Sequence, residues 1–208
     1  MDELTLEVFI SGPLLNNCYL VFDPGSKAGC LIDSPWDHQE VTAFLKKKNI
    51  EIVFLLLTHG HFDHIQSLDY FNCPFYIHRQ DSRLIEDSRL NGSSFFDQPM
   101  SSSKKANLYS ERPLSFGGQA IEVIHTPGHT PGSISLKINK WLFSGDTLFF
   151  DSVGRTDVPL ASQEQLMNSI GKKLLTLPEE TLVYPGHGQK TTIGREKKYN
   201  PFLLDTRY

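Results

Sequence analysis

The sequence predicts an α+β (or α/β) chain folded as a four-layer αββα sandwich, two mixed sheets packed together with helices outside. Three observations lead there. Strand patterns and helix patterns intersperse, and the series runs through twice. Residues 52–57 are apolar throughout, as in a strand covered on both faces. No repeat or linker divides the 208 residues, which suit one domain over 1–208 with a sizeable core.

The elements follow in order. Residues 4–10 alternate and read as a strand, residues 17–23 as a second. Asp23-Pro24-Gly25 is a turn signal, and residues 29–33 complete an antiparallel meander. A helix comes next, with Ser34 as N-cap, Pro35 at the first helical position and Asp37 at the positive end of the dipole. Val41, Phe44 and Leu45 form its apolar face, and Lys46, Lys47 and Lys48 suit its negative end as a solvated last turn. After the strand at 52–57, residues 62–70 start another helix and 75–78 form a short strand. Residues 88–110 are rich in Ser and Asn and broken by Gly92 and Pro99; such a stretch is either a functional loop or a mobile surface excursion. Strands return at 120–124, 133–138 and 141–143. Ser162 and Gln165 make a capping box before a core stripe of Leu166, Met167, Ile170 and Leu174, and residues 181–184 are a late strand.

Composition narrows the function. Hydrophobic residues at 39% and charged residues at 21% describe an ordinary globular chain. A net charge of -4 leaves no broad basic field, which argues against nucleic acid as a partner. The acidic N-terminus has no long apolar stretch, and the 52–57 run is too short to span a bilayer, so neither a signal peptide nor a membrane anchor is expected. Cys18, Cys30 and Cys73 are odd in number without CxxC spacing, and read as reduced, mostly buried thiols of a cytoplasmic protein.

The chemistry concentrates in Thr58-His59-Gly60-His61-Phe62-Asp63-His64. In an extended segment, residues two apart point to one side, so His59 and His61 can grip one ion. If the chain then turns helical, Asp63 and His64 swing toward a neighbouring position, so one segment can serve two adjacent metals. Imidazole and carboxylate ligands suit zinc, with iron or manganese as alternatives. Three further strand-end loops offer ligands between breakers: His129 in residues 126–132, Asp146 in 143–147 and His187 in 184–188. His38 falls in the first turn of a helix and His78 ends a strand. His125 is either structural or a support for the histidine loop.

Residues 58–64 resemble the HxHxDH motif of the metallo-β-lactamase superfamily, and His129, Asp146 and His187 match its later ligands in order. The resemblance covers essentially the whole chain. It implies that His59, His61 and His129 hold a first metal, that Asp63, His64 and His187 hold a second, and that Asp146 bridges them. Asp33 resembles an acid that orients a ligand histidine; capping the following helix is its other reading. Within the superfamily, Gly154-Arg155-Thr156-Asp157 and Pro185-Gly186-His187-Gly188, with Thr191, Thr192, Ile193, Gly194 and Glu196 beyond, resemble the short bacterial branch of the hydroxyacylglutathione hydrolases (glyoxalase II). Arg155 matches a basic position that contacts glutathione, with a structural ion pair to Asp157 as the alternative. The departures bear on glutathione: the chain runs only briefly past Asn200-Pro201-Phe202, where the long enzymes carry a helical region with glutathione contacts, and Gln189 stands where they have a substrate-binding tyrosine. Arg195, Lys197 and Lys198 read as a solvated basic turn or as compensating charge.

The implied enzyme is a dinuclear metal hydrolase. Two close divalent cations lower the pKa of a shared water, and the hydroxide attacks a thioester carbonyl. Asp63 and Asp146 are its catalytic carboxylates, which hold and orient that hydroxide. The expected partner is a small-molecule thioester, S-lactoylglutathione or one similar, and the expected state is a monomer or homodimer. Two other reactions fit the resemblance: a persulfide dioxygenase-like oxidoreductase with a single iron on His59, His129 and Asp146, with His61 adjacent, or a lactonase or other ester hydrolase. A metal-holding module without turnover is the non-enzymatic alternative.

Overall fold

The computed structural model describes residues 3–96, 98–109 and 114–204. Its first sheet runs β1 (Thr5–Ser11), β2 (Asn16–Phe22) and β3 (Ala28–Ile32), then, after α1 (Gln39–Lys48), β4 (Glu51–Leu56) and β5 (Phe75–Ile77). The short α2 (Ser82–Glu86) precedes its last strand, β6 (Asn107–Leu108). The first three strands pair antiparallel and the rest parallel.

The second half supplies β7 (Leu114–Phe116), β8 (Gln119–His125), β9 (Ile134–Ile138) and β10 (Trp141–Gly145), followed by a small hairpin of β11 (Leu148–Phe149) and β12 (Ser152–Val153). Then come α3 (Gln163–Ser169), β13 (Leu182–Pro185), β14 (Thr191–Thr192), α4 (Ile193–Tyr199) and α5 (Pro201–Leu204). The sheet order is β14-β13-β10-β9-β8-β7, with β10 and β13 its only parallel pair among the described residues.

Period-two alternation sorts the strands into layers. On β2, Cys18, Leu20 and Phe22 face α1, where Val41, Phe44 and Leu45 pack. The intervening Tyr19 and Val21 face the other sheet, meeting Ile134, Leu136, Ile138 and Phe143. Beyond the second sheet, Leu142 and Val183 pack on Leu166, Ile170 and Leu174. Three apolar layers between four structural ones are the predicted αββα sandwich. Truncating Leu56, fully buried in the middle layer, to Ala is expected to cost about 2–5 kcal/mol. No helix among the described residues is long and apolar enough to cross a membrane.

The layering places the site. β3 and β4 run parallel, as do β10 and β13, so Asp33, residues 58–64, Asp146 and His187 all leave strand C-terminal ends. The β8–β9 loop brings His129 to the same edge. The two sheets are stitched there by Asn17 N donating to Gly186 O at 2.7 Å.

Several elements differ from expectation. α1 begins at Gln39 rather than at Pro35. Asp33 takes a left-handed φ of 59°, and Ser34 N donates to His64 O at 2.8 Å, so the segment is tied to the site instead of winding into helix. Residues 62–70 form two 3₁₀ turns rather than one helix. β4 is covered on both faces only at its end: Leu55 and Leu56 are buried while Val53 is 38% exposed. Ser162 does cap α3, accepting from Gln165 N, but the apolar stripe continues through a π-turn over Ile170–Leu174. The 88–110 stretch is anchored, with Asn91 buried and its Nδ2 donating to Met100 O at 3.0 Å. Asp97 and Ser110 of that stretch, and Met1 and Asp2 of the N-terminus, lie outside the described residues.

Candidate metal centre

Four of the seven candidate ligands are aimed by a partner behind them. Thr58 N donates to Asp33 Oδ1 at 2.7 Å and Thr58 Oγ1 to Asp33 Oδ2 at 2.8 Å. With its proton so committed, Thr58 Oγ1 accepts from His59 Nδ1 at 3.1 Å. His64 Nδ1 donates to Asp33 Oδ2 at 2.8 Å, His129 Nδ1 to the Arg155 carbonyl at 2.8 Å and His187 Nδ1 to the Leu14 carbonyl at 2.9 Å. Carboxylates and carbonyls only accept, so His64, His129 and His187 donate from Nδ1, as His59 does to the committed Thr58 hydroxyl, and all four turn Nε2 toward the centre.

The inner atoms converge. His61 Nδ1 and His129 Nε2 are 2.8 Å apart, and His64 Nε2 and His187 Nε2 are 3.4 Å apart. Asp63 Oδ2 lies 3.1 Å from His187 Nε2. Asp146 sits between the groups, with Oδ1 3.4 Å from His64 Nε2 and Oδ2 3.5 Å from His129 Nε2 and 3.6 Å from His187 Nε2. Ligands held tetrahedrally at about 2.0–2.1 Å from zinc lie about 3.4 Å from one another, close to this spacing. Among the described residues, three groups have ligand atoms within 4.8 Å of one another: His59, His61 and His129; Asp63, His64 and His187; and His59, His64 and Asp146. His59 Nε2 and Asp146 Oδ1 are buried without a hydrogen-bond partner. Facing lone pairs and orphaned buried acceptors fit divalent cations.

The electrostatics divide the cluster. Burial, then the neighbouring His129, pushes the His61 pKa down to about 3, and burial likewise holds His59 well below the usual imidazole range. These two are neutral, as ligands must be. Burial opposes charge on His64 too, but Asp63, Asp33 and Asp146 outweigh it and raise that imidazole well above its ordinary value. The second group thus sits in a negative field that draws cations.

All seven expected ligands therefore meet at one edge. Asp33 orients His64 and Thr58, and it does not cap α1. Arg155 realises its ion-pair reading: its guanidinium holds Asp157 at 2.7 and 2.9 Å, while its backbone carbonyl anchors His129. His125 supports the histidine loop, its Nε2 donating to the Pro131 carbonyl at 2.9 Å while its ring stacks on His78 at 4.2 Å, and His38 stacks on Tyr70 at 3.5 Å.

Asp81 escapes the sequence reading. From the turn before α2, its buried carboxylate accepts from Gly60 N at 3.0 Å, Thr130 Oγ1 at 2.6 Å and Gly132 N at 2.6 Å. It clamps the His59–His61 turn to the His129 loop. No motif marks it, because its partners are distant backbone amides and one hydroxyl. Gly186 is a second such feature: a Cβ there would fall 2.1 Å from Asp146 Oδ1 and 2.7 Å from His64 Cε1, so only glycine lets the His187 loop close on the centre.

A cavity of about 580 Å³ opens over the cluster. Phe62, Phe95 and Phe96 form one wall, with Phe149 and Val158 also lining it and Arg155 and Asp157 among its polar residues. The 88–110 stretch thus lines the cavity through Phe95 and Phe96.

A four-layer αββα sandwich with His and Asp groups converging at one edge is the architecture of the metallo-hydrolase superfamily. The chain belongs to the metallo-beta-lactamase superfamily, whose sequence profile matches residues 11–187. It is 37% identical to the probable metallo-hydrolase YqgX of Bacillus subtilis, covering 92% of this chain and 94% of that protein. It is 31% identical to the hydroxyacylglutathione hydrolase GloC of Haemophilus influenzae, covering 96% and 98%. Among solved structures it is similar to the BLEG-1 B3 metallo-beta-lactamase, with a TM-score of 0.90, 39% identity and coverage of 96% and 99%. It also resembles TTHA1623 in a di-iron-bound form, with a TM-score of 0.84, 35% identity and coverage of 95% and 100%. ETHE1 from Myxococcus xanthus follows at a TM-score of 0.79 and 25% identity, with coverage of 97% and 85%.

Proposed function

We propose that the chain is a dinuclear metal-dependent hydrolase of acyl thioesters, S-lactoylglutathione or one similar. The observation that carries this reading is Asp146, whose carboxylate reaches ligands of both histidine groups. His59, His61 and His129, Asp63, His64 and His187, and Asp146 would hold the divalent cations, which would supply water of lowered pKa and an electrophile for a carbonyl oxygen. Zinc suits these donors, and the di-iron form of TTHA1623 keeps iron in view.

The chain's own groups do the rest. Asp63 and Asp146 aim carboxylate oxygens at the centre, where they would accept hydrogen bonds from the attacking water and orient it. Among the described residues lining the cavity there is no Ser, Thr or Cys, so water is the nucleophile. The C–O bond forms, the C–S bond breaks, and the thiolate leaves without needing a strong acid. The wall of Phe62 and Phe96 keeps bulk water from the carbonyl. The likeness to GloC supports a thioester over a lactone or simple ester. A single-iron oxygen chemistry on His59, His129 and Asp146 has less support, because Asp63, His64 and His187 converge into a second complete group. Unpaired, buried Cys18 and Cys30 fit a reducing, cytoplasmic setting.

Elemental analysis combined with a thiol-release assay tests this. Two metal ions per chain and thiol release from S-lactoylglutathione or another acyl thioester are expected. One iron per chain with oxygen uptake on a glutathione persulfide would replace the reading.

A further inference from the structure

The mouth of the cavity differs from what a charged thiol requires. Phe62 and Phe96 lie 4.9 Å apart and tilted by 37°, and Phe95 beside them is 70% exposed. Exposed aromatic surface beside a reactive centre marks a binding wall. The wall is fixed rather than loose: Phe62 N donates to Asn91 O at 3.0 Å, and Ser93 N to Asn91 Oδ1 at 3.0 Å.

Charge runs the other way. Arg155 is the only Lys or Arg among the described residues lining the cavity, and its guanidinium is already paired in bidentate fashion with Asp157, which lines the same space. The other candidates for compensating charge are engaged elsewhere. Arg195 holds Asp151 at 2.7 and 2.9 Å and lies 3.5 Å from the Phe150 ring centroid. Lys197 is 3.8 Å from Glu179, and Lys198 lies over Tyr199. A glutathione thioester brings two carboxylates, which would lose hydration against phenyl rings without gaining a free cation.

We propose that the site prefers thioesters whose thiol half is uncharged and which place an aryl or aliphatic group on the Phe62, Phe95 and Phe96 wall. This rests on the thioesterase reading for the reaction and on the cavity alone for recognition. Hydrolysis is balanced by one water, giving a carboxylic acid and a neutral free thiol.

The experiment has a binding arm and a turnover arm, both on the metal-loaded full chain. In the binding arm, calorimetry compares S-benzyl-N-acetylcysteamine, which is neutral, with S-benzylglutathione; neither can be hydrolysed. About tenfold or tighter binding of the neutral thioether is expected. Phe95→Ala and Phe96→Ala should bring the ratio toward one. Asp157→Asn, which frees Arg155, should favour the glutathione ligand, with a gain that salt erases. Equal or tighter binding of S-benzylglutathione by the unaltered chain overturns the inference, as does a ratio that ignores the phenylalanine variants. In the turnover arm, S-benzoyl-N-acetylcysteamine is compared with S-benzoylglutathione, and the same preference in kcat/KM is expected. A reversed preference overturns the inference. Absence of turnover on both, with two metals bound, removes the thioesterase reading while the binding arm still decides recognition.

Discussion

The two ligand groups are built differently. His59, His61 and His129 form a dry set of imidazoles, and the two loops carrying them are clamped by the buried Asp81. Asp63, His64 and His187 include a carboxylate and depend on two unlike supports. Asp33 holds His64 from the core, whereas the Leu14 carbonyl holds His187 from a hairpin tip. The His187 side chain is 25% exposed, against 0% for His64. The first group is a rigid cage and the second has one adjustable arm. The expected consequence is unequal metal retention, with chelator removing one equivalent well before the other.

Asp146→Ala should erase the comparison, because it removes the ligand common to both sides. Loss of several kcal/mol of transition-state stabilisation corresponds to a fall in kcat/KM of about 10³-fold or more. Metal content should drop below two per chain. Retention of both ions with near-normal turnover would show that Asp146 joins nothing.

Asp81→Ala should strike the first group alone. It strands Gly60 N and Gly132 N, leaving Thr130 Oγ1 only Ser133 Oγ, and each unsatisfied buried group costs about 1–3 kcal/mol. A lower Tm is expected, and one metal equivalent should weaken about 10–100-fold. Asp81→Asn, which retains acceptor capacity, separates clamping from folding: it should recover much of the Tm and part of the metal affinity. Equal weakening of both equivalents would refute the clamp.

Asp33→Asn acts directly on the second side, through His64, and on the first side only indirectly, through the Thr58 hydroxyl that bonds both Asp33 and His59. It weakens the acceptor that fixes the His64 tautomer, at about 10–100-fold in the affinity of the other equivalent. Competition with a coloured chelator should then lose its second-group step first and keep the step that Asp81→Ala abolishes.

The contrast also explains what the sequence could reveal. The layers were legible because Cys18, Leu20 and Phe22 alternate with Tyr19 and Val21, a pattern local to one strand. The ligands were legible because His59, His61, Asp63 and His64 crowd one segment, and His129, Asp146 and His187 sit beside glycines at strand ends. The supports were mixed. Asp33 had two readings, and only the left-handed turn at that residue shows which is realised. Arg155 had two as well, decided by geometry across two residues. Asp81 was silent because its partners are 21, 49 and 51 residues away. The helix expected at Pro35 starts late because Ser34 N is bonded to His64 O and Trp36 N to Ser11 Oγ, whereas the segment from Phe62 closes only i to i+3 bonds, Ile65 N to Phe62 O and Leu68 N to Ile65 O.

The smallest expected effect reads the second group's support directly. Cys18 Sγ donates to the Asp33 carbonyl at 3.3 Å. Burial, then the nearby Asp33 charge, raises the Cys18 thiol pKa well above normal, and burial pushes Cys30 up as well. Cys73 is only half-buried, with its pKa raised by burial. Thiolate is the reactive form, so a disulfide reagent at neutral pH should modify Cys73 first and leave Cys18 and Cys30 protected until the chain opens. In Asp33→Asn, modification of Cys18 should speed up without change at Cys30, because the former lies on the altered support and the latter faces the middle layer. Equal acceleration at both cysteines would mean that the substitution loosens the sandwich as a whole rather than the support of His64.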